Sequence, residues 1–194
     1  MRSVVAAERA RRLEKLERLQ ERGIAPYPVR FDRDRTAAEV QAQFHDIAAG
    51  QETDVTVRVA GRLMLLRRHG GLVFADLHDQ TGKLQVLAAR DALGEEAFAD
   101  VEELDRGDWV GVAGTVMRTR KGELSVRAHE VALLSKALRA LPDKRRGLTD
   151  VDRRLRERYL DLIVNPDTRR VFDARSAVIA SVRRTLGDRG FTEV

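Results

Sequence analysis

The sequence contains no cysteine, which excludes disulfide bridges and thiolate metal sites. No segment approaches about 18 consecutive apolar residues, and the charged first residues lack the apolar core of a secretion signal. These absences predict a cytoplasmic protein that neither spans a membrane nor is exported. The histidines are scattered without ligand spacing, so we expect no metal site; they are His45, His69, His78 and His129.

Recognisable catalytic patterns are also missing. No glycine-rich phosphate loop occurs, and the scattered histidines offer no arrangement for a nucleophile, base and acid triad. We therefore expect no catalytic residue in this chain.

The composition is that of a basic globular protein. The 194 residues are 43% hydrophobic, which is enough for an ordinary core. Thirty-six Lys and Arg against 31 Asp and Glu give a net charge of +5 and a pI near 10.0. This balance favours a polyanionic partner without identifying it.

Short segments that alternate apolar and polar residues fill positions 54–134 and indicate β-strands. Three strands, a helix and two strands match the order of a five-stranded OB-fold barrel. The predicted elements are strands at 55–65, 72–78 and 83–88, a five-residue turn at 67–71, a helix at 92–104, and two strands around the hairpin Lys121-Gly122.

Helices are predicted on both sides of this barrel, so the fold class is mainly β with flanking helices. Residues 1–53 form a helical extension with a helix at 4–22, read as largely solvated, and a helix at 36–49 that Thr36 caps. Arg9, Arg11 and Arg12 offer an alternative role for the first helix in touching RNA. The remaining predictions are a linker at 135–150 and, in 151–194, a helix capped by Thr149 or Asp150, a helix begun by Asn165-Pro166 and ended at Gly190, and the start of a strand at 191–194.

Four side chains on the outer side of the barrel have the chemistry to hold a nucleic-acid base. The alternation places Phe74 on the outer face, where a neighbouring loop would have to cover it or a base could stack on it. Gln85 and Glu123 fall on the same side, and Arg68 stands at the adjacent turn. Glu123 can accept the ring N–H of uracil, which cytosine lacks, while Arg68 or Gln85 donates to the carbonyls. The set predicts a surface for single-stranded nucleic acid.

Several segments together carry a resemblance to one family. Residues 59–62 (Val-Ala-Gly-Arg), 74–77 (Phe-Ala-Asp-Leu) and 122–125 (Gly-Glu-Leu-Ser) resemble the N-terminal anticodon-binding domain of class II lysyl-tRNA synthetases. Further similar segments are 138–144, 147–150 and 158–162, and residues 189–194 resemble the start of class II motif 1. The resemblance implies that Phe74 stacks on the middle uridine of the lysine anticodon, that Glu123 and Arg68 bond to that base, and that Gln85 contacts the anticodon loop.

The same resemblance implies tRNA as the partner, with no DNA or membrane expected. It implies a homodimer of the complete enzyme formed through the helix at 165–188. Complete relatives make lysyl-adenylate from lysine and ATP with Mg²⁺ and pass the lysyl group to tRNA. The segments that bind those substrates are missing from these 194 residues, so we expect no cofactor in this chain and no catalysis by it alone.

Three alternatives remain open from the sequence. The basic run Lys144, Arg145, Arg146, Arg153, Arg154, Arg156 and Arg158 is either a solvated face or a phosphate-binding patch, with Arg153 and Arg154 as the candidate contacts. The chain could instead be a stand-alone RNA-binding OB-fold protein. It could also be a fragment of a paralogue that transfers lysine to lipid or protein.

Overall fold

The structure is a computed structural model that describes residues 2–142 and 147–194, with side chains described from residue 5 onward. The chain divides into two compact units, residues 1–140 and 141–194. The predicted linker positions Lys144, Arg145 and Arg146 lie outside the described residues. Among the described residues, no helix has the length and apolar character needed to cross a bilayer.

The first unit is built on five strands: β1 Glu52–His69, β2 Leu72–His78, β3 Lys83–Ala89, β4 Trp109–Arg118 and β5 Leu124–Ser135. They form a closed barrel in the order β1-β2-β3-β5-β4. Neighbouring strands are antiparallel except β3 and β5, which are parallel. The prediction of a mainly β chain with a five-stranded OB-fold barrel and flanking helices is confirmed.

The period-two pattern of the sequence sets the inside and the outside of the barrel. Val73, Ala75 and Leu77 alternate along β2 and are all buried in the core. Strand β1 is longer than predicted at both ends and passes close to β2 at Gly61. A Cβ at Gly61 would lie 2.6 Å from the main-chain oxygen of His78, so only glycine fits this approach.

The turn between β1 and β2 is shorter than predicted. Arg67, Arg68 and His69 belong to β1 and pair with Phe74, Val73 and Leu72, respectively. Only Gly70 and Gly71 make the turn, and Gly70 adopts a φ of 56°, which glycine tolerates best. This tight hairpin assigns the last three residues of β1 to definite faces of the barrel.

Two short helices replace the single helix predicted at 92–104. The helices that precede the barrel are α1 Arg2–Glu21 and α2 Ala37–Gln43, and the two short helices are α3 Arg90–Leu93 and α4 Glu95–Glu103. Gly94 separates α3 from α4 with a φ of 80°. Phe98 and Val101 of α4 join the barrel core, so α4 closes one end of the barrel as predicted.

Helix α2 is held at its N-terminus by two side chains. Thr36 caps it as predicted, because its hydroxyl accepts from Glu39 N while the Glu39 carboxylate accepts from Thr36 N. The Asp79 carboxylate accepts from Ala37 N at 2.8 Å, and it also accepts from Thr81 N in its own turn. Burial raises the pKa of Asp79, but these hydrogen bonds outweigh it and leave the pKa below its ordinary value.

Helix α1 is not simply solvated, because it docks through buried cations. Arg12 and Lys15 are only 3% and 7% exposed. The Arg12 guanidinium donates to the carbonyls of Arg106 and Ala137, and Lys15 Nζ donates to Asp105 Oδ1 at 3.1 Å. Arg12 is therefore used inside the protein, and the alternative role in contacting RNA does not apply to it.

The second unit consists of α5 Val151–Arg156, α6 Arg158–Val164 and α7 Pro166–Asp188. Asp150 caps α5 by accepting from Arg153 N, as predicted. Asn165 is the N-cap residue of α7 and Pro166 stands in its first turn, as predicted, but the Asn165 side chain makes no cap hydrogen bond. Its Nδ2 donates to Leu148 O and to the fully buried Asp161. The strand predicted at 191–194 is wrong, since these residues have no regular structure.

Candidate nucleic-acid interface

The outward sides of β1, β2, β3 and β5 form one continuous surface, called here the outer face. Directly opposed residues of paired strands point to the same side of a sheet. Arg67 is opposite Phe74, Asp76 is opposite Gln85, and Gln85 is opposite Ser125. The barrel therefore brings Phe74 and Gln85 to the same surface, as the sequence predicts.

Phe74, Gln85 and Glu123 lie on a diagonal across the outer face. Gln85 is the diagonal neighbour of Phe74, because Phe74 is opposite Leu87 on β3. Glu123 stands two residues before Ser125, the partner of Gln85, and is therefore the next diagonal neighbour. Each diagonal step spans about 7–8 Å. A base stacked on Phe74 would thus turn its edge toward Gln85 and Glu123.

Phe74 is partly exposed, so it is neither fully covered by a loop nor free in solvent. The side chain of Glu123 is 53% exposed, and its nearest cation is Lys83 Nζ at 4.0 Å. The backbone of Glu123 is held more firmly, because its N–H donates to Thr119 Oγ1 and its carbonyl accepts from Thr119 N. The hairpin therefore fixes the position of a carboxylate that remains open to a ligand.

Gln85 lies on the predicted face but is more buried than the sequence suggests. It is 9% exposed, and the adjacent Ser125 is fully buried. The Ser125 hydroxyl donates to Gln85 Oε1 at 2.9 Å. The Gln85 amide is therefore oriented by the protein rather than free to rotate in solvent.

The structure places Arg68 away from this diagonal and brings Arg67 to it. Arg68 is opposite Val73, a core residue. Its Nη2 donates to the carbonyls of Glu102 and Leu104 at the C-terminal end of α4, a favourable position for a cation. Arg67 is opposite Phe74 and lies 3.8 Å from Asp76. Arg67 rather than Arg68 lies on the outer face because an irregular pairing between Leu63 and Leu65 shifts the alternation of β1 by one residue.

The two candidate phosphate contacts of the second unit already have protein partners. Arg153 Nε donates to Glu157 Oε2 at 2.7 Å on the helix surface. Arg154 donates to the buried Asp161 at 2.9 Å and to Thr168 at 2.9 Å. Arg154 therefore organises the junction of α5, α6 and α7, whereas Arg153 is the more accessible cation.

Across residues 2–142 and 147–194, no group of three or more His, Asp or Glu side chains has the arrangement of a metal site. The chemistry of the outer face is that of recognition: an aromatic ring, a carboxylate acceptor, an amide and a guanidinium. These groups can stack on a base and form hydrogen bonds to its edge.

Comparison with known protein families agrees with this arrangement. Residues 57–134 match the family described as OB-fold nucleic acid binding domain. Residues 150–194 match the family described as tRNA synthetases class II (D, K and N). Together the two matches cover most of the barrel and most of the second unit.

Individual relatives extend the similarity over almost the whole chain. A lysine–tRNA ligase of Synechococcus sp. (strain RCC307) is 48% identical over 94% of this chain and 36% of its own length. That of Carboxydothermus hydrogenoformans is 45% identical over 94% of this chain and 36% of its own length. Lysine–tRNA ligase 2 of Methanosarcina acetivorans is 45% identical over 94% of this chain and 35% of its own length. The chain thus spans about a third of these relatives.

Proposed function

We propose that this chain is the tRNA-recognition part of a class II lysyl-tRNA synthetase, which its similarity to that family supports, and that its outer face reads the middle uridine of the lysine anticodon in tRNA. The observation that carries the proposal is the diagonal of Phe74, Gln85 and Glu123 on one side of the barrel. Arg67 joins them from β1 in the place first expected for Arg68.

The groups match the edge of uracil in kind. Uracil presents a carbonyl, a ring N–H and a second carbonyl, so it needs a donor, an acceptor and a donor. Glu123 supplies the acceptor for the ring N–H, and the Gln85 amide and the Arg67 guanidinium supply donors. Cytosine presents a lone pair where uracil has its N–H and would face the Glu123 carboxylate unfavourably.

Activity of a complete protein is part of the same proposal. A lysine–tRNA ligase uses ATP and Mg²⁺ to join lysine to tRNA, and we propose that this chain supplies recognition to such an enzyme without performing the chemistry itself. Helix α7 would contribute to its homodimer, because Val171, Val178 and Val182 are 63%, 62% and 52% exposed. A cytoplasmic location fits this role.

The alternatives are less well supported. A stand-alone RNA-binding OB-fold protein does not account for the class II synthetase match at residues 150–194. A paralogue that transfers lysine to lipid or protein is disfavoured by the relatives, whose names describe lysine–tRNA ligases.

The test of the proposal is the binding of the 194-residue chain to two RNA stem-loops. Both carry the lysine anticodon, and one has cytidine in place of the middle uridine. We expect the uridine loop to bind more tightly by about 1–3 kcal/mol, the usual value of a well-matched base contact. Arg67→Gln should reduce this difference, whereas Arg68→Gln should leave it unchanged because Arg68 serves α4. Equal affinity of the wild-type chain for the two loops would refute the reading of uridine.

The proposed phosphate contacts predict a change in salt dependence. If Arg153 touches a phosphate of full-length tRNA, Arg153→Ala should lower the slope of log K against log salt by about 0.7–0.9. Arg183→Ala is a matched control, because Arg183 is an exposed helix cation paired with Glu193. Arg154→Ala should additionally lower thermal stability by removing a partner of Asp161. Equal slopes for Arg153→Ala and the control would exclude the contact.

A further inference from the structure

We propose that Ser125 is a positioning residue that fixes the Gln85 amide with its NH₂ group toward the ligand and thereby makes the outer face selective for a base carbonyl. This inference rests on the proposed function and deepens it. It assigns base selectivity to a buried hydroxyl that cannot touch the base.

The geometry that carries the inference is the parallel pairing of β3 with β5. Gln85 and Ser125 are directly opposed in that pair, and both side chains lie on the outer face. Ser125 is fully buried and Gln85 is 9% exposed. The hydroxyl oxygen of Ser125 is 2.9 Å from Gln85 Oε1. Gln85 thus covers Ser125, and Ser125 holds one end of the amide above it.

The single proton of the Ser125 hydroxyl has two acceptors within reach. The main-chain carbonyl of Glu123 is 3.1 Å away, slightly farther than Gln85 Oε1. That carbonyl already accepts from Thr119 N at 2.9 Å. Within the described residues, no other donor reaches Gln85 Oε1. Donation to Gln85 therefore satisfies a buried acceptor that would otherwise be unpaired.

The charges around Gln85 favour the same orientation of its amide. Asp76 is directly opposite Gln85 on β2, and Glu123 is its diagonal neighbour toward β5. An outward NH₂ group between two carboxylates is stabilised, whereas an outward carbonyl oxygen would be repelled. In the described part of the chain no protein group accepts from Gln85 Nε2, so both of its protons remain for a ligand.

The consequence for recognition follows from the groups of the two pyrimidines. With its NH₂ group outward, Gln85 donates to a carbonyl of uracil. If the amide rotated by half a turn, its oxygen would face the base and could accept from the exocyclic amino group of cytosine. Ser125 opposes that rotation and so adds a second means of excluding cytosine to the direct repulsion by the Glu123 carboxylate.

The experiment measures the ratio of affinities for the uridine and cytidine stem-loops. Ser125→Ala is expected to lower this ratio by about two- to tenfold, the range of one lost hydrogen bond. Most of the change should come from tighter binding of the cytidine loop. Thr115→Ala is the matched control, because it removes another nearly buried hydroxyl of the barrel surface, which bonds to His129 instead. The control should leave the ratio unchanged.

A double substitution separates positioning from a general structural effect. In a Gln85→Ala background, Ser125→Ala should change the ratio no further, because the group that Ser125 positions is gone. An unchanged ratio in Ser125→Ala, or an equal change with and without Gln85, would overturn the inference while leaving the reading of uridine intact. A wild-type chain without preference for uridine would overturn the proposed function and this inference together.

Discussion

Replacing Lys136 by methionine is expected to lower the free energy of unfolding of residues 1–140 by about 3–5 kcal/mol, the usual cost of leaving buried charges unpaired. Lys136 is 4% exposed, and its Nζ donates to Asp105 Oδ2 and Asp108 Oδ2, each at 2.7 Å. Methionine fills a similar volume without a charge. Urea denaturation followed by circular dichroism measures the loss.

An exposed ion pair of the same unit provides the control. Arg30 pairs with Asp32, but its side chain is 81% exposed, so Arg30→Met should change the free energy of unfolding by less than about 1 kcal/mol. A loss for Lys136→Met no greater than that of Arg30→Met would contradict a stabilising role for the buried ion pairs of Lys136 with Asp105 and Asp108.

The same network predicts how stability depends on pH. Burial raises the pKa of Asp105, but the hydrogen bonds and charges of Lys136 and Lys15 outweigh it and lower the pKa from 3.8 to about 2. A depressed carboxyl pKa contributes stability that is complete above the unfolded pKa and is lost as pH falls toward the folded value. The difference in stability between wild type and Lys136→Met should therefore narrow as pH falls from 3.8 to about 2. A difference in stability that stays constant over this pH range would contradict the lowered pKa of Asp105.

Replacing Phe74 by alanine is expected to weaken binding of the uridine stem-loop by about 1–3 kcal/mol, the usual contribution of a base stacked on an aromatic ring. Phe74 lies at the start of the diagonal that continues through Gln85 and Glu123. Because stacking tolerates any base, the cytidine loop should also bind more weakly. Fluorescence anisotropy with labelled stem-loops measures both losses.

Leu72→Ala is the matched control for Phe74→Ala. Leu72 lies on the same strand and points to the same side, and it is 38% exposed. It offers apolar area but no ring, so its removal should change affinity by less than about 0.5 kcal/mol. Equal losses for Leu72→Ala and Phe74→Ala would indicate a general effect on β2 instead of a stacked base.

The barrel could be predicted from the sequence because its signal is local. Strand β2 has the predicted bounds, and its alternation correctly placed Phe74 outside and Val73 inside. The helix that closes the end of the barrel could be predicted only in part, because Gly94, which has a positive φ, divides it into α3 and α4. Local periodicity reports which residues share a face, but it does not report where a turn interrupts an element.

The buried ion network could not be predicted, because its partners are far apart in sequence. Lys15 and Asp105 are separated by 90 positions and meet only when α1 docks. A basic residue on a helix is ordinarily solvated, so the sequence predicted an exposed side chain for Lys15, which the structure buries. The outward position of Arg67 could not be predicted for another reason, since an irregular pairing between Leu63 and Leu65 shifts the alternation of β1 by one residue and exchanges the faces of Arg67 and Arg68. The hydroxyl of Ser125 acts only through its neighbour across β3 and β5, a pairing that sequence does not reveal.

The measurement that tests the reading of uridine most directly is NMR spectroscopy of the complex with a stem-loop labelled only at the middle uridine. Nuclear Overhauser effects should connect the ring protons of Phe74 with the H5 and H6 protons of that uracil. Trp109 of β4, which is 36% exposed, should show none. Contacts from the labelled uracil to Trp109, or to the flanking helices in place of Phe74, would contradict the outer face as the site of base recognition.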